Sequence, residues 1–328
     1  MEKIGLVLSG GGAKGAYEIG VWKALEKMGV TERIDKIVGT SVGALNAVLL
    51  DACGIDKAEE IWKNLKQDDL LHWGIKKDFS DATGEFDPKK IIEISEVVFF
   101  ILVSIFGKGF VNKRVVVGTV THMLESRMIL DVVANPNRYP YLIRIIGYLL
   151  QLLINYGPPI DQQKLAELME NNINFEFVKR EIYIMASEVC FPIRFCPRVF
   201  RLNDYIYTNS AKCRKILLAS SATPIYEGIR GIKIDGSRYV DAGVFSGNKA
   251  NTPISYARDD FMWKRTITVW LNHRAEENAY SKTNVDIIPS KPLGGCLKID
   301  SKKNKDNMEM GESDTMKKES EIRRLLYC

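Results

Sequence analysis

Two patterns of apolar and polar positions alternate in the first third of the chain, one of strand length and one of helical spacing. Residues 4–8 and 36–38 are short segments rich in Ile, Val and Leu, which predicts two buried strands. Residues 15–28 carry apolar side chains at helical spacing, with Gly29 as a predicted cap, and a second buried helix is predicted after Ser41. Strands and helices that alternate in this way build a parallel sheet.

The pattern becomes regular again in the second half of the chain, where it predicts further helices and buried strands. The predicted helices are residues 162–171 and 213–221, and the predicted strands are residues 182–185, 199–202 and 266–271. Beyond Ile299 the composition turns to Lys, Asp, Glu, Asn and Ser, which predicts weak order with a closing helix at residues 316–326. We therefore predict one domain at residues 1–315 and a polar C-terminal tail at residues 316–328.

The middle of the chain, residues 74–156, is an apolar and basic insertion that we expect to be largely helical. Its two most apolar stretches, residues 91–106 and 139–156, are interrupted by charges and are too short to span a membrane. Residues 108–156 include six basic residues and only two acidic residues. Such a segment suits a lid or a membrane-docking element, and it suits equally well helices that pack on the core or at a subunit interface.

Composition and charge narrow the class of protein. The 328-residue chain is 46% apolar and 27% charged, which predicts a folded globular protein and excludes collagen-like and disordered classes. Its net charge of +5 forms no dense basic stripe, so we expect no nucleic-acid partner. The six cysteines include no C-x-x-C pair, so neither zinc nor a disulfide framework is predicted. Reduced thiols, and an N-terminal apolar run too short for a signal peptide, predict a cytoplasmic protein.

A nucleophile elbow is predicted where the second strand meets the second helix. The motif G-x-S-x-G is present in the strand-turn-helix context that it requires. Its residues are Gly39, Thr40, Ser41, Val42 and Gly43. The turn projects the Ser41 hydroxyl away from the backbone, and the flanking glycines avoid collisions with the neighbouring strand and helix. The N-terminus of the following helix favours negative charge nearby. Ser41 is therefore the candidate nucleophile.

A glycine-rich loop at the end of the first strand is the second motif. Its residues are Gly10, Gly11, Gly12, Ala13, Lys14 and Gly15. Backbone N–H groups in such a loop form an anion-binding concavity, which an oxyanion hole needs. The same glycines satisfy G-x-G-x-x-G, so a nucleotide-binding regulatory protein is an alternative. A dinucleotide site needs an acidic residue at the end of the second strand, whereas Asp35 precedes that strand and Ser41 follows it.

A serine nucleophile needs a base within hydrogen-bond reach. The chain holds three histidines, His72, His122 and His273. His273 follows Asp241 in the Ser, Asp, His order of α/β-hydrolases, so a triad esterase that uses His273 stays open.

The chain resembles the patatin-like phospholipase family, which uses a Ser-Asp dyad without histidine. The matching motifs are the glycine loop, the elbow around Ser41, residues 219–224, residues 239–243 and residues 251–254. The segment at residues 239–243 resembles the family's aspartate motif, in which Asp241 is followed by Ala242 and Gly243. This order, Asp-Ala-Gly, departs from the Asp-Gly-Gly or Asp-Gly-Ala of the family.

The resemblance implies a three-layer α/β/α sandwich with a mostly parallel central sheet. It implies that Ser41 attacks an ester carbonyl, that Asp241 accepts the serine proton, and that the loop from Gly10 to Gly15 binds the oxyanion. The implied activity is that of a lipid acyl hydrolase of the phospholipase A or lysophospholipase type, acting on glycerophospholipids or related lipid esters without a metal or an organic cofactor. The apolar and basic insertion at residues 74–156 adds the expectation of transient contact with a membrane surface, on its inner face.

The membrane-docking hypothesis for the insertion can be tested with liposomes. Replacement of Phe99 and Phe100 by glutamate places two charges in the most apolar stretch, so we expect less protein to float with anionic liposomes in a density gradient. The double leucine variant at the same positions is the control and should float like the original chain. Unchanged flotation of the glutamate variant would remove the hypothesis.

Overall fold

The computed structural model describes residues 3–66, 162–190, 194–222, 231–275, 280, 282–296 and 298–327. The predicted insertion at residues 74–156 lies outside the described residues, as do His72 and His122. In the part of the chain that is described, no helix is both long and apolar enough to cross a membrane.

Eight strands of the described residues form one mixed sheet. They are β1 (Ile4–Leu8), β2 (Ile34–Thr40), β3 (Glu181–Cys190), β4 (Arg194–Arg201), β5 (Ile232–Ile234), β6 (Ser237–Val240), β7 (Thr266–Val269) and β8 (Asn284–Ile287). The strand order is β5-β6-β3-β2-β1-β7-β8, and β4 pairs with β3. The five strands from β3 to β8 along this order are parallel, whereas β4, β5 and β6 are antiparallel to their neighbours. The prediction of a mostly parallel central sheet is confirmed.

Helices cover this sheet on both faces. They are α1 (Ala16–Lys27), α2 (Val42–Asn64), α3 (Gln162–Asn172), α4 (Ser210–Ser220), α5 (Ala242–Phe245), α6 (Asn248–Asn251), α7 (Ser301–Lys317) and α8 (Glu319–Tyr327). The helix α2 bends at Gly54, whose backbone is not helical. A single 3-10 turn, Gly12–Gly15, leads from the glycine loop into α1.

Alternating side chains of β1 separate two hydrophobic cores. Ile4, Leu6 and Leu8 join the larger core, which includes buried residues of α1, α2, α4, α7 and α8. Val7 points to the opposite face and joins a smaller core. The smaller core contains Ala242 of α5, Ala250 of α6, and Ile254, Ala257 and Trp263. The period of two residues in a strand therefore produces the three layers.

The C-terminal prediction of weak order is wrong. Residues beyond Ile299 form α7 and α8, and α7 packs closely on α1. A Cβ at Gly20 would lie 1.8 Å from the Met308 carbonyl oxygen, and one at Gly311 would lie 2.2 Å from the Tyr17 carbonyl oxygen. Glycine at both positions therefore lets the two helix backbones touch. The predicted closing helix corresponds to α8, three residues later than expected at its start.

The polar composition of α7 misled the prediction because its buried polar side chains have partners. Asn304 Nδ2 donates to the Trp62 carbonyl oxygen at 2.9 Å. Asp314 Oδ2 accepts from the Ser290 amide at 2.8 Å and from the Tyr17 hydroxyl at 3.3 Å. Buried polar groups that are hydrogen-bonded cost little, so a polar helix can belong to the core.

The close contact between α1 and α7 predicts a large effect from one methyl group. Gly20→Ala should lower the free energy of unfolding by about 3 kcal/mol, because the new Cβ would overlap the Met308 carbonyl. Gly29→Ala is the control, since its Cβ would meet open space and only the left-handed backbone, at φ +70°, costs about 1 kcal/mol. Urea unfolding measures both, and equal losses would contradict the helix contact.

Candidate active site

Ser41 occupies a sharp turn between β2 and α2. Its backbone has φ 54° and ψ −123°, a left-handed conformation that is uncommon for a residue with a side chain. The flanking glycines permit this turn: a Cβ at Gly39 would lie 2.5 Å from the Gly43 carbonyl oxygen, and one at Gly43 would lie 2.7 Å from the Leu8 carbonyl oxygen. The turn therefore has the geometry of a nucleophile elbow.

Hydrogen bonds from distant segments hold this turn in place. The Ser41 backbone N–H donates to Ser220 Oγ at 2.8 Å, and Ser220 Oγ in turn donates to the Met185 carbonyl oxygen at 2.6 Å. On the preceding residue, Thr40 Oγ1 donates to the Ala250 carbonyl oxygen at 2.5 Å. Ser220 lies in the segment that resembles the family, but its bond to the elbow was not predicted. The strained turn is thus fixed by α4, β3 and α6.

Asp241 is buried at the N-terminus of α5, where it caps the helix. Its Oδ1 accepts from the Gly243 amide at 2.8 Å and from the Val244 amide at 3.3 Å. The Asp241 backbone N–H donates to the Ala222 carbonyl oxygen at 3.0 Å. The two amides therefore orient the Asp241 side chain, and the bond to Ala222 fixes its backbone.

The structure brings the side chains of Ser41 and Asp241 together. Burial raises the Asp241 pKa to about 6, while the Ser41 hydroxyl, the Gly243 amide and the Val244 amide act as donors that lower it. The two residues are 8% and 2% exposed. A carboxylate with a pKa near neutrality that faces a hydroxyl is arranged to accept its proton.

The glycine loop lies beside this pair, but only some of its amides are available. The amides of Gly10, Ala13 and Lys14 donate to the carbonyl oxygens of other residues, at 2.9, 2.6 and 3.3 Å respectively. Among the described residues, no hydrogen bond from the amides of Gly11 and Gly12 is found. The acceptors are the carbonyl oxygens of Asn251 for Gly10, Cys296 for Ala13 and Gly11 for Lys14.

Two positions of the loop, Gly12 and Gly15, are packed tightly. Gly12 has φ +57°, and a Cβ there would lie 2.1 Å from the Cys296 carbonyl oxygen. Gly15 is buried under α2, where a Cβ would lie 2.4 Å from Val42 Cγ2. Gly15 therefore anchors the loop on the nucleophile's helix rather than facing the two catalytic candidates.

Asn251 links the loop to the aspartate motif, a role that sequence reasoning did not assign. Its Nδ2 donates to the Gly10 carbonyl oxygen at 3.3 Å. Its Oδ1 would lie 2.5 Å from a Cβ at Gly10 and 2.2 Å from a Cβ at Gly243. Gly243 is therefore the sterically required glycine of the Asp-Ala-Gly motif, whereas Ala242 is an ordinary buried residue of α5.

The alternative sites gain no support from this geometry. His273 lies beyond the end of β7 and is not among the groups that act on the Asp241 pKa in the described part of the chain. Asp35 is the second residue of β2, at the strand end opposite to the glycine loop. Within the described residues, no three His, Cys, Asp or Glu side chains gather as a metal site would require.

A glycine loop and a strained serine elbow at the carboxyl ends of the parallel strands β1 and β2, with a buried aspartate beside the serine, are features of the class of serine hydrolases with an α/β fold. The profile of the patatin-like phospholipase family matches residues 6–257, so the chain belongs to that family.

Individual relatives are similar either over a short stretch of the chain or, over almost the whole chain, at low sequence identity. "Lysophospholipase nte1" of Aspergillus terreus is 56% identical over 48 residues, which are 15% of this chain and 3% of the relative. "Neuropathy target esterase sws" of Drosophila persimilis is 52% identical over 48 residues, again 15% and 3%. The match thus covers only a small part of these longer proteins. The solved structure of VipD from Legionella pneumophila is 15% identical, with a TM-score of 0.45, and covers 98% of this chain and 67% of that chain.

Burial of Asp241 predicts a stability cost that depends on pH. Its folded pKa of about 6 lies above the ordinary value of 3.8, so the folded state holds an extra proton between these values and stability falls as pH rises through that window. Asp241→Asn should therefore be more stable than the original chain at pH 7, by up to about 3 kcal/mol. The two should converge towards pH 4 in thermal unfolding.

The exposed Asp306 provides the matched control. Asp306→Asn should leave the pH dependence of the melting temperature unchanged. A curve for Asp241→Asn that parallels the original chain from pH 4 to pH 7 would contradict the raised pKa.

Proposed function

We propose that the chain is a lipid acyl hydrolase of the phospholipase A or lysophospholipase type, with Ser41 as nucleophile and Asp241 as proton acceptor. The observation that carries the proposal is the contact between the Ser41 hydroxyl and the buried Asp241 carboxylate at an elbow whose backbone is left-handed. Membership of the patatin-like phospholipase family supports a lipid ester as the substrate.

The first step transfers an acyl group to Ser41. Asp241 takes the hydroxyl proton while Oγ attacks the ester carbonyl and forms a tetrahedral intermediate. With a pKa of about 6, Asp241 is mostly ionised at pH 7 and is a stronger base than an ordinary aspartate. Collapse of the intermediate breaks the bond to the leaving alcohol, which receives the proton from Asp241. The aspartate is then ready for the second step.

The amides of Gly11 and Gly12 are the proposed oxyanion donors. The amides of Gly10, Ala13 and Lys14 already donate to carbonyl oxygens, and Gly15 is packed against α2, which leaves Gly11 and Gly12 within the loop that the sequence indicated. A single preorganised donor stabilises such an oxyanion by about 3 to 4 kcal/mol. The positive end of the α2 dipole, next to Ser41, adds to this stabilisation.

Hydrolysis of the acyl-enzyme repeats the same chemistry with water. Asp241 accepts a proton from water, the hydroxide oxygen attacks the acyl carbonyl, and Ser41 leaves with the proton returned by Asp241. Each step uses the same base and the same oxyanion donors, and every proton taken by Asp241 is given back.

The proposed substrate is a glycerophospholipid or a related lipid ester in a membrane surface. The name of the Aspergillus relative, a lysophospholipase, is consistent with this substrate class. We further propose a cytoplasmic protein that contacts the inner face of the membrane transiently, for which the apolar and basic sequence of residues 74–156 is the support.

Three substitutions separate the dyad from the triad. Release of fatty acid from phospholipid vesicles should fall by at least about a thousandfold in Ser41→Ala and in Asp241→Asn, because each loses the nucleophile or the base. His273→Ala should keep most of the turnover, measured as kcat. Loss of turnover in His273→Ala would favour the triad, and turnover that persists in Ser41→Ala would refute the proposed function.

A further inference from the structure

A carboxyl group outside the proposed dyad lies beneath the glycine loop. Glu18 stands in the first turn of α1, directly after the loop, and is 1% exposed. Its Oε2 accepts a hydrogen bond from Asn46 Nδ2 at 2.8 Å, and the backbone N–H of Ser9 is near enough to lower the pKa of the same carboxyl group. Since Ser9 leads from β1 into the loop, Glu18 contacts the point where the loop begins.

Asn46 connects the same carboxyl group to the end of the loop and to the nucleophile's helix. Its Nδ2 also donates to the Gly15 carbonyl oxygen at 2.9 Å, and its Oδ1 accepts from Trp62 Nε1 at 3.0 Å. Asn46 and Trp62 both belong to α2, the helix that begins directly after Ser41. The network of Glu18, Asn46 and Trp62 therefore joins both ends of the glycine loop to the helix that carries the nucleophile.

No cation in the described part of the chain is found to act on the Glu18 carboxyl group. Burial raises its pKa to about 8, although Asn46 and the Ser9 amide lower it. Among the described residues, Glu18 Oε1 accepts no hydrogen bond. Several charged side chains of α1, α2 and α7 bond to groups other than Glu18. They are Lys23 and Lys63 with Glu59, Lys27 with Glu312, Asp51 with Arg180, and Asp314 with Lys317 and Tyr17. Glu18 is thus a neutral acid near pH 7.

We propose that Glu18 is a positioning residue that holds the glycine loop against α2, through Asn46 and the Ser9 amide, in the arrangement that presents the Gly11 and Gly12 amides to the oxyanion. This inference rests on the proposed hydrolase function. Glu18 touches neither substrate nor the reacting atoms, so it acts only through the loop. Ionisation of Glu18 puts an uncompensated charge beneath the loop and loosens it, which lowers the turnover rate rather than substrate binding.

The test compares two substitutions at Glu18 with a control on the same helix. Glu18→Ala should lower kcat for ester hydrolysis by about tenfold to a hundredfold and change KM by less than about threefold. Glu18→Gln keeps an acceptor oxygen for Asn46 and the Ser9 amide, so it should recover most of this loss. The exposed Glu26 is the matched control, and Glu26→Gln should behave like the original chain.

The pH profile gives a readout that a merely structural role would not change. The original chain and Glu26→Gln should lose kcat at alkaline pH with a midpoint near pH 8, where Glu18 ionises. Glu18→Gln has no proton to lose and should keep its kcat there. The same alkaline loss in Glu18→Gln and in the original chain would overturn the inference.

Hydrogen exchange tests the inference without catalysis. The amides of residues 9–15 should exchange faster in Glu18→Ala than in Glu26→Gln, and in the original chain they should exchange faster, relative to Glu18→Gln, above about pH 8. Equal protection in all variants would overturn the positioning role. A folded chain without ester hydrolysis, but with these exchange differences, would instead refute the proposed function and leave the loop contact standing.

Discussion

The site depends on the buried Asp241 carboxylate, which has no cationic partner among the described residues. Asp241 faces one hydroxyl and two backbone amides, and these donors do not offset its burial, so its pKa stays near 6. The same imbalance that costs stability produces a base of useful strength at neutral pH. The contact between Ser41 and Asp241 requires that Ser41 stays in its left-handed turn. Hydrogen bonds through Ser220 connect that turn to α4 and β3, and the Thr40 hydroxyl connects it to α6. The strained turn at Ser41 therefore positions its hydroxyl against the Asp241 carboxylate.

Close approach of neighbouring backbone or side-chain atoms explains the glycines that define the motifs. Gly39 and Gly43 let the elbow pass over the end of β1, and Gly10 and Gly243 make room for the Asn251 side chain. Asn251 then bonds the glycine loop with both its backbone and its side chain. The loop is consequently held from the aspartate side by Asn251 and from the α1 side by Glu18. Such a loop can present fixed amides to a developing charge with little rearrangement.

The sequence was sufficient for features that depend on local pattern. Apolar periodicity located β1, β2 and α1, and the short motifs singled out Ser41 and Asp241, which the fold brings together. It was insufficient where a hydrogen bond joins distant segments: Ser220 is 179 residues from Ser41, and Asn251 is 241 residues from Gly10. The glycine loop could be predicted as an anion cradle, but which amides remain available depends on the carbonyl oxygens of Asn251 and Cys296. Composition failed for α7, because it counts polar residues and not their partners.

Covalent trapping tests the central claim most directly. A fluorophosphonate probe reacts with a serine that is activated by a base and an oxyanion hole, and peptide mass spectrometry locates the modified residue. We expect a single phosphonate on Ser41, formed at a rate that falls at least about a hundredfold in Asp241→Asn while the variant stays folded. Modification of a different serine, or a rate on Ser41 that does not change in Asp241→Asn, would refute the Ser41-Asp241 dyad.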